Sequence, residues 1–490
     1  KQQLMGRKPK LPGLLWADDL VLTMGSKRDL QRALDNLTDW CDLWGMEVNP
    51  SKCATMAIPV GGAELSMNDC SFTIQGMSIP ECTEYTYLGT RIRKDLDLDA
   101  DLELRTRKTE TAVTANMPIF RMHTLKGAIR RRLVLSNVYA TALWGCQLWG
   151  ESKHSNRLMK SLQAAVTRGM QAIVGSGKKA AHGAMCVDLA VHPISIVAVH
   201  RRSDYLLKRM SQVVGRRAAE RPTCFLWLHR LLTTMSKAKD PWYVRTKRML
   251  IGKGGFEVQK QKVECMDAST FDLKRLDKLG DLREALKRNL HWYTLRKLRL
   301  SSEPGATQAI AKQRDQMRPW RIEPYLNVNE FPSGTRVLFR LRANCLGLNN
   351  IVHLIPGSNV PKQCLCCSAD VTETPSHFLF ECSALKQERE QLLTKFRKIS
   401  REGVNIPNAA TLDLENPLLA GWIVDGTARI EEKSWKRFLR DRAETLGNLW
   451  ATRCRLRRRA MQSASEPDRI TGILPEPKPV QSGRVQQCAD

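Results

Sequence analysis

Two adjacent carboxylates, Asp18 and Asp19, stand at the centre of Leu14-Leu15-Trp16-Ala17-Asp18-Asp19-Leu20-Val21-Leu22. Apolar residues on both sides of an Asp-containing turn read as a strand–turn–strand hairpin with one face buried. Carboxylates clustered at such a tip suit magnesium, a hard ion that takes one or two protein carboxylates together with substrate phosphates. Taken alone, an Asp-Asp turn is usually just a solvated hairpin end. The segments that follow decide between the two.

Ser26 is placed to cap a helix in which Leu30, Ala33, Leu34, Leu37, Trp40, Cys41 and Trp44 recur at three- and four-residue spacing. Gly45 supplies its C-terminal stop. Asn49-Pro50 then marks a turn, and Lys52 leads a short strand predicted over Cys53 to Ile58. A second hairpin, Phe72 to Ile74 and Met77 to Ile79 about Gln75-Gly76, precedes Tyr85-Thr86-Tyr87-Leu88-Gly89-Thr90.

This ordered set resembles the second half of the palm of a reverse transcriptase from the non-LTR (LINE-type) retrotransposons. Ala17-Asp18-Asp19 matches that family's catalytic box, with Trp16 where Tyr or Phe is usual. Gly45, Asn49 and Lys52 match its next motif, and Tyr87-Leu88-Gly89 the following one, a hairpin that grips the primer. Three motifs in order are more specific than any one of them. The resemblance implies an RNA-directed DNA polymerase using two-metal nucleotidyl transfer on an RNA template and a DNA primer or target. It also implies roles: Asp18 ligates Mg2+, Asp19 assists, and Lys52 is the general acid that protonates the leaving pyrophosphate. Without the motif context, Lys52 reads as a solvent-exposed lysine at a strand edge.

A two-metal polymerase draws carboxylates from two strands. In this family a further Asp lies upstream of the acidic hairpin, whereas the thirteen residues before Leu14 contain neither Asp nor Glu. The expectation from sequence is therefore a fragment or a decayed remnant, without fingers, inactive alone.

With Lys+Arg 78 against Asp+Glu 50, the net charge is +28 and the pI near 9.8. Nucleic acid is the usual partner of such an imbalance. The runs Arg130-Arg131-Arg132, Arg201-Arg202, Arg216-Arg217 and Arg457-Arg458-Arg459 spread the charge along the chain. No uninterrupted apolar stretch reaches membrane-spanning length. Most of the 15 cysteines are scattered singly, as in the reduced thiols of a nuclear or cytoplasmic protein, the nucleus being favoured.

One cysteine cluster stands apart. Cys364 and Cys367 lie at C-x2-C spacing, His377 follows, and Cys382 lies five residues beyond it. Three thiolates and an imidazole complete a closed tetrahedral site for structural Zn2+, with no open position for catalysis. Thr374-Pro375-Ser376 reads as a helix start that would carry His377 and Cys382 on one helix. Cys366 is left open as a substitute for Cys367 or a spare thiol. The cluster is similar to the zinc-binding segment that follows the polymerase in many LINE-type elements. Asp95, Asp97, Asp99 and Asp101 do not form a calcium loop, because Ala100 and Thr106 occupy the positions of the required Gly and Glu. They read as a loop and the first turn of a helix.

The expected class is α+β: a truncated palm of antiparallel hairpins plus a helix, followed by a mostly helical thumb and linker and a small zinc module. Palm residues occupy 1–95. A basic helical thumb spans 96–215, with helices over Leu102–Asn116, Lys126–Leu143, Asn156–Val174 and Ile194–Val213, and Arg130, Arg131 and Arg132 face the template–primer duplex. Trp144 and Trp149 read as core residues rather than base-stacking ones. A basic helical linker covers 216–345 and ends in an amphipathic helix from Val337 to Leu346. The zinc module spans 346–400. A basic amphipathic region occupies 401–462, with Trp435, Phe438, Leu439, Ala443, Leu446 and Trp450 on one face, and a disordered tail 463–490. No endonuclease signature or repeat is found. The competing reading is a nucleic-acid-binding protein that keeps thumb, linker and zinc module without catalysis.

Overall fold

The computed structural model describes residues 13–59, 71–149, 155–177, 180–214, 231–257 (apart from 233, 236 and 252–254), 279–299, 320–401 and 432–463. The expectations for 1–12, 60–70, 150–154, 178–179, 215–230, 252–254, 258–278, 300–319, 402–431 and the tail from 464 lie outside them. The chain divides into two compact units. The first comprises Lys1–Ala115, Leu135–Val166 and His192–Lys297; the second comprises Asn116–Val134, Thr167–Val191 and Leu298–Asp490.

The first unit opens with three separate antiparallel hairpins: β1 (Gly13–Trp16) with β2 (Asp19–Leu22), β3 (Phe72–Ile74) with β4 (Met77–Ile79), and β5 (Glu84–Tyr87) with β6 (Thr90–Arg93). Each closes on a two-residue turn with positive φ, which matches the right-handed twist of the strands. Gln75-Gly76 and Leu88-Gly89 carry it at both positions, and Ala17 at the first of its turn. Helix α1 (Lys27–Leu43) begins where the Ser26 hydroxyl accepts the Asp29 N–H at 3.1 Å. Gly45, at φ 64°, ends it; the Gly45 N–H returns to the Asp42 carbonyl and the Met46 N–H to that of Cys41. Leu34 of α1 packs on Phe72, Ile74 and Ile79, with Leu22, Leu30 and Leu37 around them, so the 3.6-residue and two-residue periods meet in one small core.

Two expectations change here. The β1–β2 hairpin does not bury one face: Leu15 and Trp16 are 69% and 68% exposed, and only Leu22 reaches the core. Residues 53–58 form no strand but a single bridge, Thr55 to Glu81, after a 3₁₀ turn at Pro50–Lys52. Proline at the start of that turn and the Asn49 side chain accepting the Ser51 N–H at 3.0 Å favour the turn over extended chain.

Helix α2 (Asp99–Arg121) starts three residues earlier and ends five later than the apolar spacing indicates. The acidic run before it forms successive Asx turns, Asp95 accepting the Asp97 N–H and Asp97 that of Asp99. The segment predicted as one helix over 126–143 is α3 (Gly127–Leu133), a π-helical stretch at Val134–Tyr139 and a last short turn. Helix α4 (Ser155–Val174) and helix α6 (Ile194–Val214) agree with their periodicity; between them lies α5 (His182–Asp188). The linker contributes α7 (Pro241–Ile251) and α8 (Leu279–Arg299), which share a core of Leu206, Leu207, Tyr243, Leu250, Leu282 and Leu286 with α6.

In the second unit, the helix expected from Val337 is α9 (Pro332–Arg342), started by proline in its first turn. It is buried nearly all round rather than amphipathic. The reason is its partner, α11 (Glu432–Ser463), which crosses at Gly334 and Gly447: a Cβ on Gly334 would fall inside the Ala443 carbonyl, and one on Gly447 would meet Ser333 Oγ at 2.9 Å. Between them in sequence lie the Cys/His segment and α10 (Lys386–Arg401). A buried network holds α5 to α9. Asp188 accepts two hydrogen bonds from Arg342, at 2.9 and 3.0 Å, and one from the Tyr325 hydroxyl at 2.5 Å. Among the described residues no helix is long and apolar enough to cross a membrane.

Candidate functional site

Cys364, Cys367, His377 and Cys382 come together with their ligand atoms all within 4.8 Å of one another. Two elements place them. Cys364 and Cys367 lie on a tight turn, where the Cys366 N–H points at Cys364 Sγ at 3.4 Å and the Cys364 N–H bonds the Val371 carbonyl. His377 opens a π-helical turn, His377–Glu381, closed by the Cys382 N–H on the His377 carbonyl at 2.8 Å. The sequence reading expected an ordinary helix here. At 3.6 residues per turn, positions five apart diverge around the axis; the wider i-to-i+5 winding brings them to one side.

The distances fit the donor set. Cys364 Sγ and Cys382 Sγ are 3.9 Å apart, and Cys367 Sγ and His377 Nε2 are 3.5 Å apart. Tetrahedral zinc with bonds of about 2.3 Å to sulfur and about 2.0 Å to nitrogen requires roughly 3.7 and 3.5 Å. His377 presents Nε2 to the cluster, while Nδ1 faces Glu381 Oε2 at 3.7 Å, on the side where a carboxylate orients a ligating imidazole. Hydrogen bonds from the Cys366 and Cys382 thiols hold the Cys364 sulfur well below the usual thiol range.

Cys367, rather than Cys366, shares the four-ligand group with Cys364, His377 and Cys382. Cys366 Sγ lies beside Cys364 and 3.6 Å from the Arg453 carbonyl. The alternative group of Cys364, Cys366 and Glu373 is compromised, because Glu373 is buried in a bidentate pair with Arg453 at 2.6 and 2.8 Å. That pair also gathers Asn349, whose N–H reaches Glu373 at 2.7 Å and whose side-chain amide bonds the Gln363 carbonyl at 2.7 Å. Arg389 of α10 donates to the Leu379 and Cys382 carbonyls. The cluster is thus braced through Arg453 of α11 and Arg389 of α10. Sequence reading missed Glu373, Asn349, Arg389 and Arg453; a buried pair separated by 80 positions leaves no local pattern.

Asp18 and Asp19 sit together at the tip of β1–β2, both exposed. Among the described residues no other acidic, thiol or imidazole group joins them in a metal-holding cluster. Lys52 is exposed on its 3₁₀ turn, and its carbonyl accepts the Tyr85 hydroxyl at 3.1 Å. The Tyr87-Leu88-Gly89 turn is fastened from behind: Trp144 Nε1 donates to the Leu88 carbonyl at 3.0 Å and Arg105 to that of Gly89. Asp101, fully buried, accepts the Arg91 N–H at 3.1 Å and Trp149 Nε1 at 3.2 Å. Trp149 is therefore a core residue as expected, whereas Trp144 is half exposed against Gly89. Of the arginine run, Arg130 is buried and donates to the Phe120 and Ile173 carbonyls. Arg131 donates to those of Leu189 and Ala190, and Arg132 is exposed.

Residues 2–92 match the family model for reverse transcriptase (RNA-dependent DNA polymerase). The probable RNA-directed DNA polymerase from transposon BS of Drosophila melanogaster is 25% identical over 211 residues, covering 41% of this chain and 23% of that protein. The chain thus spans about a quarter of the length of this curated relative. No solved structure gives a match. Residues 2–92 of this chain are thus similar to reverse transcriptases, the chain is similar over 211 residues to a transposon RNA-directed DNA polymerase, and its carboxyl-terminal part carries a Cys/His cluster consistent with a zinc module.

Proposed function

We propose that the chain is part of the RNA-directed DNA polymerase of a non-LTR, LINE-type retrotransposon. The observation that carries this reading is that the family match over 2–92 contains Asp18, Asp19, Lys52 and Tyr87-Leu88-Gly89 together. On this reading Asp18 and Asp19 hold Mg2+ against the primer hydroxyl and the incoming nucleotide, and Lys52 supplies the proton to pyrophosphate. A further carboxylate must join the pair to hold two ions. The hairpin at 87–89, immobilised by Trp144 and Arg105, supports the primer strand. Cys364, Cys367, His377 and Cys382 hold a structural Zn2+, and the basic surface binds RNA template and DNA, in the nucleus.

A second reading, a nucleic-acid-binding protein without catalysis, is favoured by the isolation of Asp18 and Asp19 from other acids among the described residues. Primer extension on an RNA template with Mg2+ separates the two. Extension by the chain that Asp18→Asn abolishes, with template binding kept, supports the polymerase. Binding without extension supports the second reading, and extension unchanged in the variant removes the assigned metal role.

A further inference from the structure

Three guanidinium groups of the second unit meet where two helices end. Arg130 of α3 donates to the Phe120 carbonyl in the last turn of α2, at 3.1 Å, and to the Ile173 carbonyl in the last turn of α4, at 3.0 Å. Arg340 of α9 donates to the carbonyl of Gly175, just past α4. Arg336, one turn before Arg340, lays its stem over Gly175, whose φ of 66° and missing Cβ make the approach possible, and its guanidinium meets His123 Nε2. Arg130 and Arg340 are 4% and 6% exposed; Arg336 and His123 reach the surface.

The bland account is that arginines cap helix C-termini. It covers only part of the charge. Each helix end offers the equivalent of roughly half a negative charge, so two ends offset about one of the three positive charges. His123 adds no anion: it accepts from Arg336 as a neutral imidazole, its pKa driven down to about 4 by burial and by the neighbouring Arg336 and Arg130. Among the described residues none of the three arginines or His123 makes an ion pair with a carboxylate, and Arg130 Nε and Arg336 Nε are buried without a hydrogen-bond partner. Burial and mutual repulsion pull the Arg130 pKa down to about 10. Buried positive charge of this size is costly unless paired.

We propose that Arg130, Arg336 and Arg340, with His123 at the rim, form a binding site for one phosphate group. Guanidinium donors suit its oxygens, which accept several charge-assisted hydrogen bonds at once. The open side at Arg336 admits the anion, and the carbonyls of Phe120, Ile173 and Gly175 fix the donors that receive it. Free phosphate and the phosphates of a polynucleotide share this chemistry. The site stands whether or not residues 13–93 take part in polymerisation.

The test is thermal unfolding and calorimetric titration of the full chain with inorganic phosphate, with sodium chloride adjusted to constant ionic strength. A saturable rise in Tm is expected, with the Kd for phosphate raised at least tenfold in Arg336→Met and in Arg340→Met and unchanged in Lys386→Met, a substitution at an exposed lysine. Arg336→Met is decisive, because Arg336 makes no backbone hydrogen bond; in phosphate-free buffer its Tm should rise as repulsion is relieved. Competition by a 5′-phosphorylated oligonucleotide alone assigns the anion to a strand end, competition by a 5′-hydroxyl oligonucleotide as well assigns it to internal phosphates, and competition by neither leaves free phosphate as the ligand. Absence of a saturable response to phosphate, or one that survives Arg336→Met, overturns the site.

Discussion

Cys366 and Cys367 are adjacent in sequence and opposite in consequence. The turn sends Cys367 Sγ toward His377 and Cys366 Sγ toward the Arg453 carbonyl. Substituting serine at 364, 367 or 382 should therefore release bound zinc, while Cys366→Ser should retain one zinc per chain by elemental analysis. Equal loss in Cys366→Ser would show that the wrong thiol is assigned. Glu381→Gln should weaken zinc binding by roughly 10-fold, the lower end for a group that orients a ligating imidazole, read in a chelator competition. At this scale the sequence was informative where chemistry is local. Cys364, His377 and Cys382 follow from the clustering and spacing of the segment, but the choice between Cys366 and Cys367 needs the direction each side chain takes, which spacing does not contain.

At the level of the element, local rules and packing divide the outcome. The Ser26 cap, the Gly45 stop and the turns at Ala17-Asp18 and Gln75-Gly76 follow from residue chemistry and were legible, whereas the Leu88-Gly89 turn was expected only from the family resemblance. The start of α9 was not, because its first turn, Pro332-Ser333-Gly334-Thr335, is small to admit α11 and carries no helix periodicity. Gly334→Ala tests this: the added methyl meets the Ala443 backbone, which cannot swing aside, so the loss should exceed the roughly 1–3 kcal/mol usual for overpacking, measured by urea denaturation. A neutral effect would mean that the crossing is looser than described. His182 provides a second test in the same unit. Burial lowers its pKa from the ordinary 6.5 to about 4, and it bonds Thr167 and Cys186 at 3.0 and 3.1 Å. The unfolded chain takes up a proton below about pH 6.5 that the folded chain refuses until about pH 4, so stability is full above that window and falls through it. His182→Gln should flatten the fall in unfolding midpoint between pH 6.5 and 4.5 relative to the unsubstituted chain; parallel pH curves would contradict the assignment.

For the whole molecule, the charge of +28 overstates what is displayed. Among the described residues eight arginines are buried, several of them holding carbonyls or carboxylates, and composition cannot separate these from a nucleic-acid surface. Binding to an RNA–DNA duplex should still weaken steeply with salt, with log K falling by about 0.9 per phosphate contacted for each unit of log salt. Anisotropy between 50 and 300 mM salt reads this slope, and a flat response would count against a basic binding face. The polymerase reading rests on the acidic hairpin acting as a metal site. Its most direct measurement replaces Mg2+ by Fe2+ in the zinc-loaded chain with primer and template bound, and maps where locally generated hydroxyl radicals cut. Cleavage within residues 14–22, lost in Asp18→Asn, is the predicted result. An uncut hairpin, or cuts there that persist in the variant, would contradict it.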